Sequence, residues 1–271
     1  MTAVIRRPAV AGYFYPAEAA ALAAILDDAT GLRPRLQPAH GILLPHGSLT
    51  RTQGVIAATL RDVMIPRRCI LLGPSHTGTW MPWSLLTEGA YRTPLGDVPI
   101  DAQAAEALAA RCPFLERDAW AQRGEHAVEV LLPWLQRLGP QDLTIVPLIF
   151  NAEEPHQLTV LATALAQVVR LLEEPVLLIA STDCSHYLTQ LQSQEQDRQI
   201  LSAVCRLDSG ALTRTLEEQK IVMCGWAAAA VLIEATRMLG ATRGQLTGYA
   251  TSAETGGDPH SVIGYGGVVI R

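Results

Sequence analysis

The chain has almost no lysine and no run of basic residues. Of its 21 Lys and Arg residues only Lys220 is a lysine, and the positive charges are dispersed along a sequence with a net charge of -5. Proteins that bind nucleic acid present a basic patch or stripe to the phosphates. The sequence therefore predicts no nucleic-acid partner.

Long apolar runs are also missing. No stretch of the sequence approaches the roughly 18 apolar residues that a membrane-spanning helix needs. The first residues, Met1 to Pro8, lack the apolar segment of a secretory signal peptide. We expect a cytoplasmic protein without a membrane partner.

Cysteine is scarce and irregularly placed. The five cysteines are an odd number, lie far apart and include no Cys-x-x-Cys pair. This pattern argues against a disulfide framework and against a structural zinc knuckle. A functional cysteine would therefore have to act singly.

The remaining composition is that of a globular chain whose apolar segments alternate between strand and helix patterns. With 271 residues and 49% hydrophobic residues, it can build one large core. The alternation predicts a single α/β domain, residues 1–271, with a central mixed or parallel sheet flanked by helices. Three predicted strands begin at residues 41, 69 and 176. Three more span 144–150, 245–252 and 262–270. Predicted helices span 16–29, 54–63, 101–111, 126–138, 155–172, 193–207, 209–219 and 225–239.

Three histidines follow apolar runs that have the length and Ile, Leu and Val content of buried strands. His46 follows the run from Gly41, His76 follows the run from Cys69, and His186 ends the longer run from Val176. In open α/β sheets, ligands and catalytic groups gather at the carboxyl ends of the strands. One site could therefore collect all three imidazoles.

The pattern favours a metal site built on His46 and His76. Each lies in a turn rich in Gly, Pro, Ser and Thr, and two imidazoles with a carboxylate or thiolate form a common set of metal ligands. Spacing leaves Glu125, Asp183 and Cys224 open as the third ligand. Cys224 precedes a predicted helix whose amino end would favour a thiolate, although a free cysteine is commonly a small buried apolar residue.

Further groups could move protons beside such a metal. Asp183 and His186 form an Asp-x-x-His pair in which the carboxylate could orient the imidazole and tune its pKa. The alternative is a helix-capping aspartate with a histidine in the following turn. Glu125 and His126 open a predicted helix, where the glutamate suits the helix dipole.

The order of motifs resembles the Memo family, whose microbial members are also called AmmeMemoRadiSam system protein B. The motifs run from residue 7 to residue 265. They read RPAVAGYFYP at 7–16, PH at 45–46, GPSH at 73–76, EHAVEVLLP at 125–133, STDCSHY at 181–187, CG at 224–225 and VIGY at 262–265.

The resemblance implies the fold of class III, LigB-type extradiol dioxygenases and a specific site. It makes His46, His76 and Cys224 the metal ligands and gives His186, beside Asp183, the role of acid and base. Ser75, Glu125 and His126 are placed near the pocket, on the GPSH and EH motifs. Fe(II) is the expected metal, with copper as the alternative and zinc as a third choice.

The resemblance also implies partners. The sequence departs from the family motifs at two places. The substrate would be a small molecule, and the microbial family name suggests a radical-SAM or AMMECR-type protein partner. The family motif His-Ala-Gly-Tyr is replaced here by His-Gly-Ser-Leu at 46–49, and Cys-Gly is continued by Trp226 and Ala227, so the pocket wall is altered.

Three functions follow as expectations. The first is an O2-dependent oxidoreductase acting on a chelating substrate. The second is a copper-binding protein that sequesters metal or limits radical chemistry. The third is a partner-binding protein with a vestigial pocket, for which Trp80, Met81 and Trp83 could form the contact surface.

Overall fold

A computed structural model describes residues 4–33, 35–77, 82–151 and 154–271. Its strands are β1 (Ile5–Arg6), β2 (Gly41–Leu44), β3 (Arg68–Gly73), β4 (Trp83–Leu85), β5 (Ala90–Thr93), β6 (Gly96–Pro99), β7 (Thr144–Phe150), β8 (Val176–Ser181), β9 (His186–Leu188), β10 (Gly244–Thr251) and β11 (Val262–Ile270). Its α-helices are α1 (Ala19–Thr30), α2 (Leu49–Leu60), α3 (Ala102–Ala109), α4 (Leu132–Leu138), α5 (Pro155–Leu172), α6 (Gln190–Cys205), α7 (Ser209–Gln219) and α8 (Trp226–Met238). Short 3-10 helices cover Glu129–Leu131 and Ser252–Thr255.

The main sheet is mixed, as the sequence predicted. Among the described residues its order is β10-β11-β2-β8-β3-β7-β4, and β9 pairs with β11. The four central strands β2, β8, β3 and β7 run parallel, while β11 and β4 lie antiparallel at their two sides. The carboxyl ends of β2, β8 and β3 therefore meet at one edge, where their connecting loops can build a site.

Helices cover the sheet and exclude water from it. Every residue of β2, β3 and β8 is buried, which is the pattern of parallel strands packed on both faces. Helix α8 packs on β2, β3 and β8 and against α5, whereas α2 packs on β10 and β11. No helix in the described ranges is both long enough and apolar enough to cross a membrane.

Some predicted boundaries agree with the structure and others differ. The single helix predicted over 126–138 is a 3-10 helix followed by α4, which begins at Leu132 next to Pro133. Strands β7 and β11 and helices α5 and α7 have the predicted bounds. Helix α2 begins at Leu49 rather than at residue 54, and its first turn is closed by backbone hydrogen bonds from Arg51 and Thr52 to the Ser48 carbonyl. The run from Val176 was expected to reach His186, but β8 ends at Ser181 and His186 begins the separate strand β9.

The described part of the irregular segment between β3 and α3, from residue 82 on, contains three strands. Strands β5 and β6 form a three-stranded sheet with β1, and β4 joins the edge of the main sheet. Trp83 is 2% exposed and stacks on Phe150, so the expectation that it forms a contact surface was wrong. Trp80 and Met81 lie outside the described residues.

A buried ion pair fastens the amino-terminal segment to the core. Arg6 and Glu129 are in contact, with side chains 3% and 0% exposed. The Glu129 carboxylate also accepts hydrogen bonds from the backbone N–H groups of Ala9 and Val10 and from the Tyr15 hydroxyl. The segment before α1 is thereby held against the loop that leads to residue 129.

Candidate metal centre

Three imidazoles meet at the carboxyl edge of the sheet. His46 follows β2, His76 follows β3, and His126 comes from the loop before the 3-10 helix at Glu129–Leu131. One nitrogen from each ring lies within 4.8 Å of the others, so the three could hold one metal ion. The ring centroids are 5.0 Å apart for His46 and His76 and 4.5 Å apart for His76 and His126.

The His46 ring is oriented by a serine at the end of β8. The Ser181 hydroxyl donates to the Ala127 carbonyl at 2.5 Å, and its oxygen lies 2.9 Å from His46 Nδ1. Because the serine proton is already used, Nδ1 carries the ring proton and donates it to Ser181. His46 Nε2 therefore keeps its lone pair for a metal.

Glu125 performs the same task for His76. Glu125 Oε1 lies 2.9 Å from His76 Nδ1, and Oε2 accepts a hydrogen bond from the His76 backbone N–H. Oε1 also accepts from the backbone N–H groups of His126 and Ala127, both at 2.8 Å. One buried carboxylate thus fixes the ring of His76 and the backbone of His126, as the outer partners of metal ligands do.

Electrostatics keep two of the imidazoles neutral near pH 7. Burial, reinforced by the charge of His76, lowers the pKa of His46 to about 3. Burial and the neighbouring His46 lower the pKa of His126 to about 4. A neutral imidazole is the form that binds metals. His76 behaves differently, because burial is outweighed by its bond to Glu125 and its pKa is raised.

The charge on Glu125 is stabilised despite its burial. Burial alone would raise the pKa of this carboxyl, but the hydrogen bond and charge of His76 and the backbone N–H groups of His76 and Ala127 lower it to about 2. An ionised carboxylate beside two imidazoles adds negative charge to the ligand shell. This arrangement favours a bound cation.

The three histidines open into a large cavity. Its volume is about 590 Å³, and its wall includes all three imidazoles together with His186 and Asp183. His76 keeps a side-chain exposure of 34%, so solvent reaches the cluster. A metal held here would retain room for a small molecule.

Cys224 contacts the cluster from the opposite side. Its Sγ lies 3.3 Å from His46 Nε2, yet it lines a second cavity of about 380 Å³ beside α8. Burial and the charge of Asp183 raise the pKa of the Cys224 thiol to about 12. A metal would have to displace the thiol proton before this sulfur could bind.

A close backbone approach places Cys224 there. The next residue, Gly225, donates its N–H to the Thr182 hydroxyl at 3.0 Å. A Cβ on Gly225 would lie 2.5 Å from the Ser181 carbonyl oxygen and from the Thr182 Cβ. Only glycine lets the start of α8 come this near to the end of β8.

The two members of the predicted acid–base pair line the same cavity but bond to different partners. Asp183 Oδ1 accepts a hydrogen bond of 2.8 Å from the His46 backbone N–H, and so supports the metal loop. His186 Nδ1 donates to the Val222 carbonyl at 3.1 Å, and that carbonyl, rather than Asp183, orients the ring. His186 Nε2 makes no hydrogen bond with a described residue, and the ring lines the cavity.

Ser75 lies behind the cluster. Its backbone N–H donates to Asn151 Oδ1 at 3.1 Å, and its carbonyl accepts from the amide nitrogen of Asn151. The Ser75 hydroxyl is buried and has no hydrogen-bond partner within the described residues. Ser75 therefore positions the turn that carries His76 through its backbone.

Sequence reasoning missed three residues of the site. Ser181 stood in a quoted motif, but its bond to His46 depends on the register of β2 and β8, which pairs Leu44 with Ser181. Arg51 and Tyr265 line the cavity from α2 and β11. Arg51 lies in a stretch that was predicted to be a loop, and Tyr265 belongs to the VIGY motif, but neither residue was given a role in the site.

Fold and site together define a single-domain α/β protein with a histidine cluster at the carboxyl edge of its parallel strands. Residues 6–269 match the model of the Memo-like protein family, and the chain belongs to that family. The resemblance seen in the motifs is thereby confirmed.

Relatives of similar length support this assignment. A MEMO1 family protein of Methanopyrus kandleri is 33% identical over 281 residues, covering 98% of this chain and 99% of the relative. A MEMO1 family protein of Aquifex aeolicus is 33% identical, covering 98% of each chain. The crystal structure of an uncharacterized protein from Escherichia coli K12 shares the fold, with a TM-score of 0.53, 14% identity and coverage of 85% of this chain and 99% of that one.

Proposed function

We propose that this protein binds a redox-active divalent metal at His46 and His76 and oxidises a small chelating molecule with dioxygen. The observation that carries the proposal is the convergence of three imidazoles on an open cavity. Their donor chemistry fits Fe(II), copper and zinc, because neutral imidazole binds all three. Fe(II) fits the proposed reaction better than zinc, because zinc has no redox chemistry.

The third ligand is His126 or Cys224. His126 offers a ring whose Nδ1 lies 3.4 Å from Glu125 Oε1, beside the carboxylate that orients His76. Cys224 Sγ lies 3.3 Å from His46 Nε2, close to the separation of about 3.5 Å expected for sulfur and nitrogen ligands on one tetrahedral ion. Both side chains lie against the same imidazole of His46, so either could complete the set.

A bound Fe(II) would supply a redox centre with open coordination positions for a chelating substrate. The chain itself supplies a base. His186 Nδ1 is committed to the Val222 carbonyl, so its Nε2 can accept a proton from a substrate hydroxyl in the cavity. Glu125 and Ser181 hold the ligand rings in place while this occurs.

A second candidate, copper binding, is favoured by one contact. Thiolate and imidazole together suit Cu(I), and Cys224 and His46 present this pair at 3.3 Å. A protein that used the pair to hold copper would need no base. The two candidates therefore differ in what they require of His186.

Oxygen consumption tests the oxidase proposal. Protein reconstituted anaerobically with Fe(II) should take up O2 when a catechol is added, and His186→Asn should lower this rate by about a hundredfold or more while keeping its metal. His260→Asn, a change at an exposed histidine, is the matched control and should keep the wild-type rate. Stoichiometric metal without turnover in the wild type would contradict the oxidase and favour copper binding.

A further inference from the structure

The outer part of the cavity carries polar groups that the metal chemistry does not use. Arg51 lines it from the first turn of α2, and Tyr265 lines it from β11. Both stand beside the loop that joins β2 to α2, immediately after His46. A molecule bound to the histidine cluster could contact these two residues with its other end.

Tyr265 is a buried side chain with an unused hydroxyl. The residue is 1% exposed, and its hydroxyl has no hydrogen-bond partner within the described part of the chain. A Cβ on Gly47 would lie 3.2 Å from this hydroxyl, so the phenol stands directly against the backbone that follows His46. Tyr15, Tyr91 and Tyr249, by contrast, each donate to an acidic or amide side chain. A hydroxyl that lines the cavity and has no partner among the described residues is open to a ligand.

Arg51 adds a positive charge on the same side. One of its five N–H donors binds the Ser252 carbonyl at 3.1 Å, and it forms no ion pair with a described residue. Its charge acts on Tyr265, because the guanidinium opposes the rise of the tyrosine pKa caused by burial and Asp183. Arg51 and Tyr265 are therefore electrostatic neighbours.

The amino end of α2 contributes to the same subsite. Ser48 caps this helix of 12 residues, but its side chain makes no capping hydrogen bond to the helix backbone. Gly47 and Ser48 line the cavity, so the positive end of the helix dipole faces the same space as Arg51. The guanidinium, the phenol hydroxyl and the helix end all favour an anion.

We propose that Arg51 and Tyr265 form an anion subsite that holds a carboxylate of the substrate while its other end reaches the histidine cluster. The substrate would then be a small organic acid with a chelating group. Asp258, exposed on the rim of the same cavity, favours a monoanionic carboxylate over a more highly charged phosphate. This inference rests on the proposed metal function for the chelating end.

A matched pair of chelators tests the subsite. Butyrohydroxamate and the monohydroxamate of succinic acid carry the same metal-binding group and differ in a methyl against a carboxylate. We would titrate both, with longer dicarboxylic monohydroxamates, into the cobalt-loaded protein. The carboxylate should strengthen binding by about ten- to a hundredfold at the chain length that spans the two ends, as charge-assisted hydrogen bonds do.

Variants show which side chain strengthens the binding of the carboxylate-bearing chelator. Arg51→Gln should abolish the advantage of the carboxylate, Arg51→Lys should keep part of it, and Tyr265→Phe should reduce it severalfold. Arg61→Gln, an exposed arginine at the end of the same helix, is the control and should leave the advantage unchanged. Equal affinity for both chelators at every length would overturn the anion subsite while leaving the metal site intact.

Two further titrations test the choice of anion and the dependence of the subsite on metal. A phosphonate analogue that binds more tightly than the carboxylate of equal length would overturn the assignment to a carboxylate. If the protein takes up no cobalt, the metal function fails, and glutarate is titrated into the metal-free protein instead. Binding that Arg51→Gln removes would support the subsite on its own, and absence of binding would overturn it.

Discussion

Replacing Glu129 with glutamine is expected to lower the free energy of unfolding by about 3–5 kcal/mol, the cost of breaking a buried ion pair by removing one partner. Glu129 is fully buried and is the charged partner of Arg6. A glutamine would keep the size of the side chain but leave the Arg6 charge unpaired. It would also turn an NH2 group toward the backbone N–H group of either Ala9 or Val10, which bond to different oxygens of Glu129. Urea denaturation followed by circular dichroism measures the effect.

Two other variants make this result interpretable. Asp97→Asn breaks an exposed ion pair with Arg92 and should cost no more than about 1 kcal/mol. Tyr15→Phe removes one hydrogen bond to Glu129 and should cost about 1 kcal/mol, which keeps the account testable if the glutamine variant does not fold. A glutamine variant as stable as Asp97→Asn would show that the pair does not anchor the segment before α1.

The second large effect is expected at Glu125. Replacing it with alanine should weaken metal binding by about 10- to 100-fold, the usual loss when the outer partner of a metal-binding histidine is removed. The reason is that Glu125 orients His76 through Nδ1 and also holds the backbone of His126. Competition with a chromophoric chelator for Zn(II) measures the dissociation constant.

An exposed glutamate provides the comparison for Glu125. Glu116→Ala changes the same residue type at an exposed position and should bind metal like the wild type. Glu125→Gln keeps the shape but can no longer balance the charge of a cation, and it should fall between alanine and wild type. If Glu125→Ala bound metal as tightly as Glu116→Ala, the carboxylate would have no part in building the site.

The same carboxyl gives the metal-free protein an acid-dependent term in its stability. The pKa of Glu125 in the folded protein is lowered from 4.5 to about 2. A depressed carboxyl pKa stabilises the fold above the unfolded-state value and loses that contribution as the pH falls toward the folded-state value. Between about pH 4.5 and 2 the wild type should therefore lose stability more steeply than Glu125→Gln.

Elements with strong local patterns were predictable from the sequence, whereas contacts between distant segments were not. The apolar run of β7 and the amphipathic pattern of α5 depend only on their own residues, and both have the predicted bounds. The polar first turn of α2 was interpreted as a loop, because no local pattern shows that Ser48 starts a helix. The register that brings Ser181 to His46 is set by sheet pairing and is not visible in either segment alone.

The sequence predicted most residues of the site but not how they are arranged. His46 and His76 follow strands, so their approach was expected from topology. His126 lies on a loop whose path is fixed by Glu125, and its nearness to the pair emerges only in three dimensions. Cys224 was expected beside the other ligands on family resemblance; the structure places it against His46 but on the wall of a second cavity.

Metal content tests the central claim most directly. We would measure the metal bound to anaerobically purified protein by elemental analysis after loading with Fe(II), for the wild type and for His46→Ala, His76→Ala, His126→Ala and Cys224→Ala. The account predicts stoichiometric metal in the wild type and its loss in the His46 and His76 variants, while the other two variants show which side chain completes the set. A wild-type protein without metal, or His46 and His76 variants that keep it, would contradict the account.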